Sequence, residues 1–288
     1  MAANRYSLLV ALIVALGGFL MGFDASVISG VVGFIETEFA LTKIQLGWSV
    51  ASLTLTATLA MMLAGPISDR VGRRPVLMVA ALLFAVSAVW SALAPDFISL
   101  VMARMLGGLG VGAALIIAPM YIAEIAPPEK RGRMVSFNQL NIVLGISIAF
   151  FSNYLILRFG QSGAAWAQAA GLDTYAWRWM LGVEAVPAVI YFLALFLVPE
   201  SPRWLAMQGR RDDALSVFER AGDAATAEAN LAAVEHSLGE ADAAVKLPLK
   251  ALFAPAMRLV MTIGVSIAIL QQITGINSVF FYAPMIFE

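Results

Sequence analysis

From Leu8 to Phe23 the chain carries no charged residue, and the apolar run continues past a single carboxylate, Asp24, to Val32. At 1.5 Å per residue a helix of this length crosses a hydrocarbon core of about 30 Å. No polar stripe breaks it up, so it does not suit a helix lying half-buried on a soluble core; it is expected to span a membrane. Further stretches of spanning length follow at Leu46–Ile67, Pro75–Ala94, Ile98–Ile125, Val135–Leu157, Trp179–Val198 and Ala256–Phe287. Apolar residues make up 61% of the chain and charged residues only 13%, which excludes an ordinary soluble domain and points to an all-α polytopic membrane protein.

Lysine and arginine set the expected orientation. With the N-terminus in the cytoplasm, the inner segments hold Arg5, Arg70, Arg73, Arg74, Lys130, Arg131, Arg133 and the basic residues from Arg203 to Arg258, against Lys43, Arg158 and Arg178 outside. The reading is a multi-pass protein of the cell (inner) membrane with a cytoplasmic N-terminus. Composition changes after the sixth stretch. Residues 1–198 read as a six-helix bundle and 199–255 as a cytoplasmic helical linker, with helices near Asp212–Ala221 and Thr226–Leu238. Residues 256–288 read as the first transmembrane helix of a second bundle. The first six spans fall into two blocks of three, joined by the very short turn at Ala94-Pro95-Asp96, as an inverted repeat requires.

A carboxylate inside a spanning helix costs on the order of 3 kcal/mol, so Asp24 needs a partner facing the bundle interior. Arg104 is the basic residue that lies well inside another apolar span. The chain has no cysteine, its one histidine, His236, lies in a polar helical stretch, and its net charge is −1. Nothing here suggests a metal site, a nucleic-acid partner or a cofactor. No Gly-x-x-x-x-Gly-Lys-Ser/Thr string and no nucleophile with a histidine base occur, so neither an enzyme nor an ATP-driven pump is expected. Gln139 in the fifth span and Gln271, Gln272 and Asn277 in the seventh carry amides, which match sugar hydroxyls as both donors and acceptors; interhelical glue is the alternative. Gly275 and Pro284 interrupt the seventh stretch, as in a discontinuous binding helix.

Five strings carry a resemblance. They are Gly22-Phe23-Asp24 with Ile28-Ser29-Gly30; Gly65-Pro66-Ile67-Ser68-Asp69-Arg70-Val71-Gly72-Arg73-Arg74-Pro75; Arg104-Met105-Leu106-Gly107-Gly108 with Pro119-Met120-Tyr121-Ile122-Ala123-Glu124 and Lys130-Arg131-Gly132-Arg133; Pro199-Glu200-Ser201-Pro202-Arg203-Trp204-Leu205; and Gln271-Gln272-Ile273-Thr274-Gly275-Ile276-Asn277. In this order they resemble the sugar porter family of the major facilitator superfamily, which includes bacterial proton-coupled sugar symporters and facilitative glucose transporters. The resemblance implies the major facilitator fold and alternating-access transport of a monosaccharide or polyol. It implies a cytoplasmic charge network at Asp69, Arg70, Arg73, Arg74, Glu124, Arg131, Glu200 and Arg203. Fixed surface pairs are the plainer reading of those charges. It implies sugar contacts at Gln139, Gln271, Gln272 and Asn277, and a proton-coupling group of Asp24, Arg104 and Glu184.

Mammalian facilitative glucose transporters carry asparagine at the position of Asp24, whereas the proton-coupled symporters carry aspartate, so a sugar, a proton and the lipid bilayer are the expected partners. A permanent salt bridge between Asp24 and Arg104 is the structural alternative, and a uniporter, a non-transporting sugar sensor or an inactive fragment are the rival functions. The chain departs from the family at Met21, Ile146 and Phe281, where an aromatic, a glutamine and a tyrosine occur in relatives. Stopping soon after the seventh stretch, it reads as a C-terminally truncated transporter that does not transport alone.

Overall fold

The computed structural model describes residues 2–127, 130–222, 224–243, 254–275, 279 and 281–282, and the regular structure among them is helical. The helices are α1 (Ala2–Val27), α2 (Val32–Glu38), α3 (Lys43–Val71), α4 (Arg73–Leu93), α5 (Phe97–Ile125), α6 (Arg131–Gly160), α7 (Ala165–Ala169), α8 (Ala176–Gly182), α9 (Ala185–Ala194), α10 (Pro202–Met207), α11 (Arg211–Ala221), α12 (Ala224–Ala243) and α13 (Arg258–Ile273). Six segments among them are long and apolar enough to cross a membrane: Arg5–Gly30, α3, α4, α5, α6, and Ala176–Leu197, which joins α8 to α9 and a short 3₁₀ turn. Among the described residues the protein is a multi-pass membrane bundle of six spans followed by shorter helices.

Local chemistry sets where the long helices begin. Thr42 and Gln45 form a reciprocal capping box before α3, and the Asp96 side chain accepts from the Ser99 N–H at 2.9 Å to start α5. At α10 the Ser201 hydroxyl accepts from Trp204 N–H, with Pro202 in the first turn, where its missing donor costs nothing. The sixth span is broken at Val183-Glu184. Pro187 has no N–H to bond the Val183 carbonyl four residues back, and that carbonyl accepts instead from Val186 N–H at 3.2 Å. The residues Trp179–Val198 therefore form two helical pieces where the sequence suggests one rod.

Helix α5 is the centre of the bundle, packing on α1, α3, α4 and α6, while α1 lies along α6 and α4 against α8 and α9. Side chains such as Leu59, Met62, Val79, Leu82, Ile190 and Leu193 point outward and exposed. In water that surface would be an aggregation hazard; in hydrocarbon it carries no penalty. Two apolar cores lie along the bundle. One gathers Val10, Val14, Leu20, Leu53, Leu77, Phe84, Val111, Ile117 and Tyr191. The other gathers Phe23, Ile28, Val50, Leu100, Trp177, Met180 and Leu181. On α5 and the sixth span the boundary between the two cores falls at Arg104 and Glu184, and on α1 it falls just before Asp24, between Leu20 and Phe23.

Beyond the sixth span, α10, α11 and α12 pack on one another, and α11 also lies on the N-terminal end of α1, with the Arg220 guanidinium 4.7 Å over the Tyr6 ring. The seventh expected span is α13 over its described part. At 16 residues it is shorter than a crossing requires, and it buries no side chain, so the bundle of spans counts six among the described residues. The residues expected to extend it, Asn277 and Pro284 included, lie outside the described residues.

Candidate functional site

Helix α1 places Asp24 three residues before its end, and α5 places Arg104 opposite. The Arg104 guanidinium donates to Asp24 Oδ1 through Nη1, and through Nη2 to the Asp24 carbonyl oxygen at 3.2 Å. Both residues are buried, at 1% and 2% exposure. Neighbouring side chains hold other carbonyls of the same turn: Asn153 Nδ2 on α6 donates to Val27 O at 3.0 Å, and Ser29 Oγ to Ser26 O at 2.7 Å. A helix end leaves such carbonyls without regular partners, and here polar side chains from within the bundle supply them.

Glu184 is the third buried ionisable group, and its electrostatic neighbours are Asp24 and Arg104. The break at Pro187 puts Glu184 at the cap position of α9, where the positive end of the helix dipole favours a carboxylate. The structure thus brings Asp24, Arg104 and Glu184 into one intramembrane group with two carboxylates and one guanidinium. Asp24 Oδ2, Glu184 Oε1 and Arg104 Nε are buried without a hydrogen-bond partner. Two buried carboxylates beside one cation leave a place where a proton can be gained without adding net positive charge to the interior.

A second cluster lies at the end of the bundle where α10 starts. Arg73, 3% exposed, donates through Nε and Nη2 to both oxygens of Glu124 at 3.1 Å, donates to the Ser68 carbonyl at 3.0 Å, and pairs with Asp69 at 2.9 Å. Such a bidentate fork fits a guanidinium and not an ammonium. Gly72, the cap position of α4, offers no side chain for the first-turn amides. Glu200 accepts from them instead, at 2.9 Å from Arg73 N–H and 3.2 Å from Arg74 N–H. A Cβ at residue 72 would strike the Glu200 carboxylate, and the backbone there is at φ +103°, so both requirements select glycine. Burial pushes the Glu200 carboxyl above its ordinary value, countered in part by the amide hydrogens of Ser201, Arg74 and Arg73.

Arg74 donates to the carbonyls of Leu195 and Phe196, at 3.0 and 3.2 Å. Arg70 and Arg131 are exposed and Arg203 half-buried, and none of the three makes an ion pair or hydrogen bond among the described residues. The charge network expected from all eight residues is therefore built by Asp69, Arg73, Arg74, Glu124 and Glu200. Solvent solvates Arg70 and Arg131 too well for a pair to be favoured. Sequence reasoning missed Ser201, whose hydroxyl donates to Glu124 at 2.5 Å, Tyr121, which donates to the Pro199 carbonyl at 2.8 Å, and Trp204, whose indole donates to the Asp69 carbonyl at 3.0 Å. The Ser201-Pro202 capping signal marks the first of these.

The amides expected to hold sugar are not gathered. Gln139 is exposed on α6, Gln271 and Gln272 are exposed on α13, which has no substantial packing on the six spans, and Asn277 lies outside the described residues. Gln139 lies on the exposed side of α6, and α13, which carries Gln271 and Gln272, buries no side chain among the described residues. Met21 and Ile146 are half-buried on α1 and α6, and Phe281 packs on the core containing Phe23.

A six-span bundle with an ion pair buried inside it belongs to the class of polytopic membrane proteins. The profile of the sugar (and other) transporter family matches residues 10–288, and the chain belongs to that family, the sugar porters of the major facilitator superfamily. Its members are transporters, not enzymes. It is 39% identical over 283 residues to an arabinose-proton symporter of Bacillus subtilis, covering 98% of this chain and 59% of the relative. It is 38% identical to a D-xylose transporter of Levilactobacillus brevis, over 95% of this chain and 56% of the relative. Among solved structures, the partially occluded inward-open form of the xylose transporter XylE from E. coli superposes with a TM-score of 0.83 at 35% identity, over 97% of this chain and 66% of that one. The chain thus spans less than two thirds of the length of these relatives.

Proposed function

We propose that this chain serves in proton-coupled symport of a monosaccharide or polyol by alternating access, with Asp24, Arg104 and Glu184 as the coupling group. The observation that carries the reading is the buried ion pair of Asp24 with Arg104 where two apolar cores meet, with Glu184 as a second buried carboxylate within its electrostatic reach. Ionised, Asp24 holds Arg104 and ties α1 to α5. A proton on Asp24 cancels its charge and frees the guanidinium for Glu184, so the span pair loosens when a proton binds. The relatives named as a proton symporter and as a xylose transporter support the same cargo class.

In this reading residues 1–198 form one bundle with the N-terminus in the cytoplasm, residues 199–255 a cytoplasmic linker, and residues 256–288 the start of a second bundle. Gln139, Gln271, Gln272 and Asn277 contact sugar, and the cluster of Asp69, Arg73, Arg74, Glu124 and Glu200, with Arg70, Arg131 and Arg203 beside it, gates the cytoplasmic side. The test is Asp24→Asn in the transport-competent protein in proteoliposomes. Uphill, proton-driven accumulation is expected to be lost while sugar exchange persists. Accumulation against a gradient by the variant refutes the proton role, and loss of exchange as well points to a purely structural bridge.

A further inference from the structure

Four glycines lie close together on α5, and three of them border neighbouring backbone. A Cβ at Gly108 would strike the Leu53 carbonyl, one at Gly112 the Ala57 carbonyl, and one at Gly110 would lie 3.0 Å from the Ala80 carbonyl oxygen. These three allow helices to approach closely. Gly107 differs, because the atoms around its empty Cβ position belong to side chains: Ser87 Oγ at 2.5 Å and Asp24 Oδ2 at 3.0 Å.

We infer that Ser87 is the hydrogen-bond acceptor for the protonated form of Asp24, and that Gly107 keeps open the space in which that bond forms. The inference rests on the proton-coupling reading above and names the two residues that make it work. Asp24 Oδ1 is held by Arg104, whereas Oδ2 is buried and unpartnered. Ser87, itself 4% exposed on α4, commits its hydroxyl hydrogen to the Ala103 carbonyl at 2.8 Å. A hydroxyl has one hydrogen to give and two lone pairs to offer, so Ser87 presents only acceptor capacity to the gap. An ionised Oδ2 facing those lone pairs gains nothing. With a proton on Oδ2, the same two oxygens become a donor and an acceptor: the new O–H donates to Ser87 Oγ, and the Ser87 O–H still donates to Ala103.

The charged neighbours of Asp24 are Arg104 on α5 and Glu184 at the start of α9. The guanidinium of Arg104 has no lone pair to offer, and the oxygen that borders the gap at Gly107 beside Asp24 Oδ2 is Ser87 Oγ, which makes Ser87 the acceptor at the gap. Ser87 falls on α4 between Phe84 of one apolar core and Ala94 of the other, the same interval that holds Arg104 and Glu184 on their own spans, and Asp24 lies just past it on α1.

The test is infrared difference spectroscopy, low pH minus high pH, on the chain reconstituted in phospholipid vesicles. A carboxylic C=O band absent from Asp24→Asn identifies the protonated Asp24. In Ser87→Ala that band is expected to move to higher wavenumber, because a carboxylic acid without a hydrogen-bond partner absorbs higher, and in Ser87→Thr, which keeps the hydroxyl, it is expected to stay. Gly107→Ala fills the gap and is expected to raise the band as Ser87→Ala does; a band that stays put in that variant removes Gly107 from the assignment. A band unmoved by Ser87→Ala overturns the role of Ser87 while leaving the proton reading intact. If no titrating band depends on Asp24, both fall together.

Discussion

Gly145→Ala, set against Gly47→Ala, tests how closely α1 and α6 are fitted. At Gly145 a new Cβ would strike the Phe19 carbonyl oxygen, and it would lie 2.9 Å from the Phe19 carbonyl carbon and 3.0 Å from Phe23 N. All three are backbone atoms, so no side chain can swing aside. Relief requires the helices to part by about 1 Å, and a gap of that size forfeits a quarter to a half of the dispersion energy of each contact it opens. Overpacking of this kind costs about 1–3 kcal/mol, and the rigid neighbours place Gly145→Ala toward the upper end. Gly47 on α3 has no atom within 4 Å of the same position. There alanine is expected to be neutral or to stabilise by up to about 1 kcal/mol through helix propensity. Unfolding titrations with dodecyl sulfate in mixed micelles read the difference: Gly145→Ala unfolds at a lower detergent fraction than the parent, and Gly47→Ala does not. Because Phe19 to Phe23 is the turn that leads into Asp24, the parting should also weaken the hold of Arg104. Equal midpoints for Gly145→Ala and the parent would refute the close approach of the two helices.

Arg73→Gln leaves the largely buried Glu124 without its cation and is expected to cost about 3–5 kcal/mol, read as a lower thermal midpoint, with the half-exposed Asp69 adding little. Arg210→Gln, which removes an exposed pair with Asp213, should change stability by less than about 1 kcal/mol in the same assay. Glu200 gives a pH signature. Its carboxyl is raised from 4.5, so the folded chain binds that proton more tightly than the unfolded one; the resulting stability is full below pH 4.5 and is lost as pH rises through the raised value. Glu200→Gln should flatten that slope in melting curves recorded across the acid range, and an unchanged slope would remove Glu200 as its source.

The spans were legible because a bilayer imposes length and charge rules that few residues can break. Leu8–Phe23 has no charge, and basic residues crowd the ends of the apolar stretches. Asp24 and Arg104 stood out by the same logic, as charges where hydrocarbon was expected, and the structure joins them. The break in the sixth span was less visible, since Trp179–Val198 is apolar throughout and only Pro187 marks it. Ser87 and Ser201 were illegible for a different reason: a serine in a spanning helix is common, and its value depends on what a distant helix places beside it. The cluster around Arg73 shows the same limit, because Arg70, three residues away and chemically identical, makes no pair among the described residues.

Glu200 accepts the first amides of α4, its neighbour Ser201 donates to the last turn of α5 at Glu124, and the next residues begin α10. One peptide stretch thereby acts as a rivet joining α4, α5 and the root of α10. The small helices α10 to α12 are consequently carried as a lever fixed to the spans and do not swing as a free tether. A spin label or fluorophore on the exposed face of α12 would report the tilt of the whole bundle, far from the buried ion pair of Asp24 with Arg104.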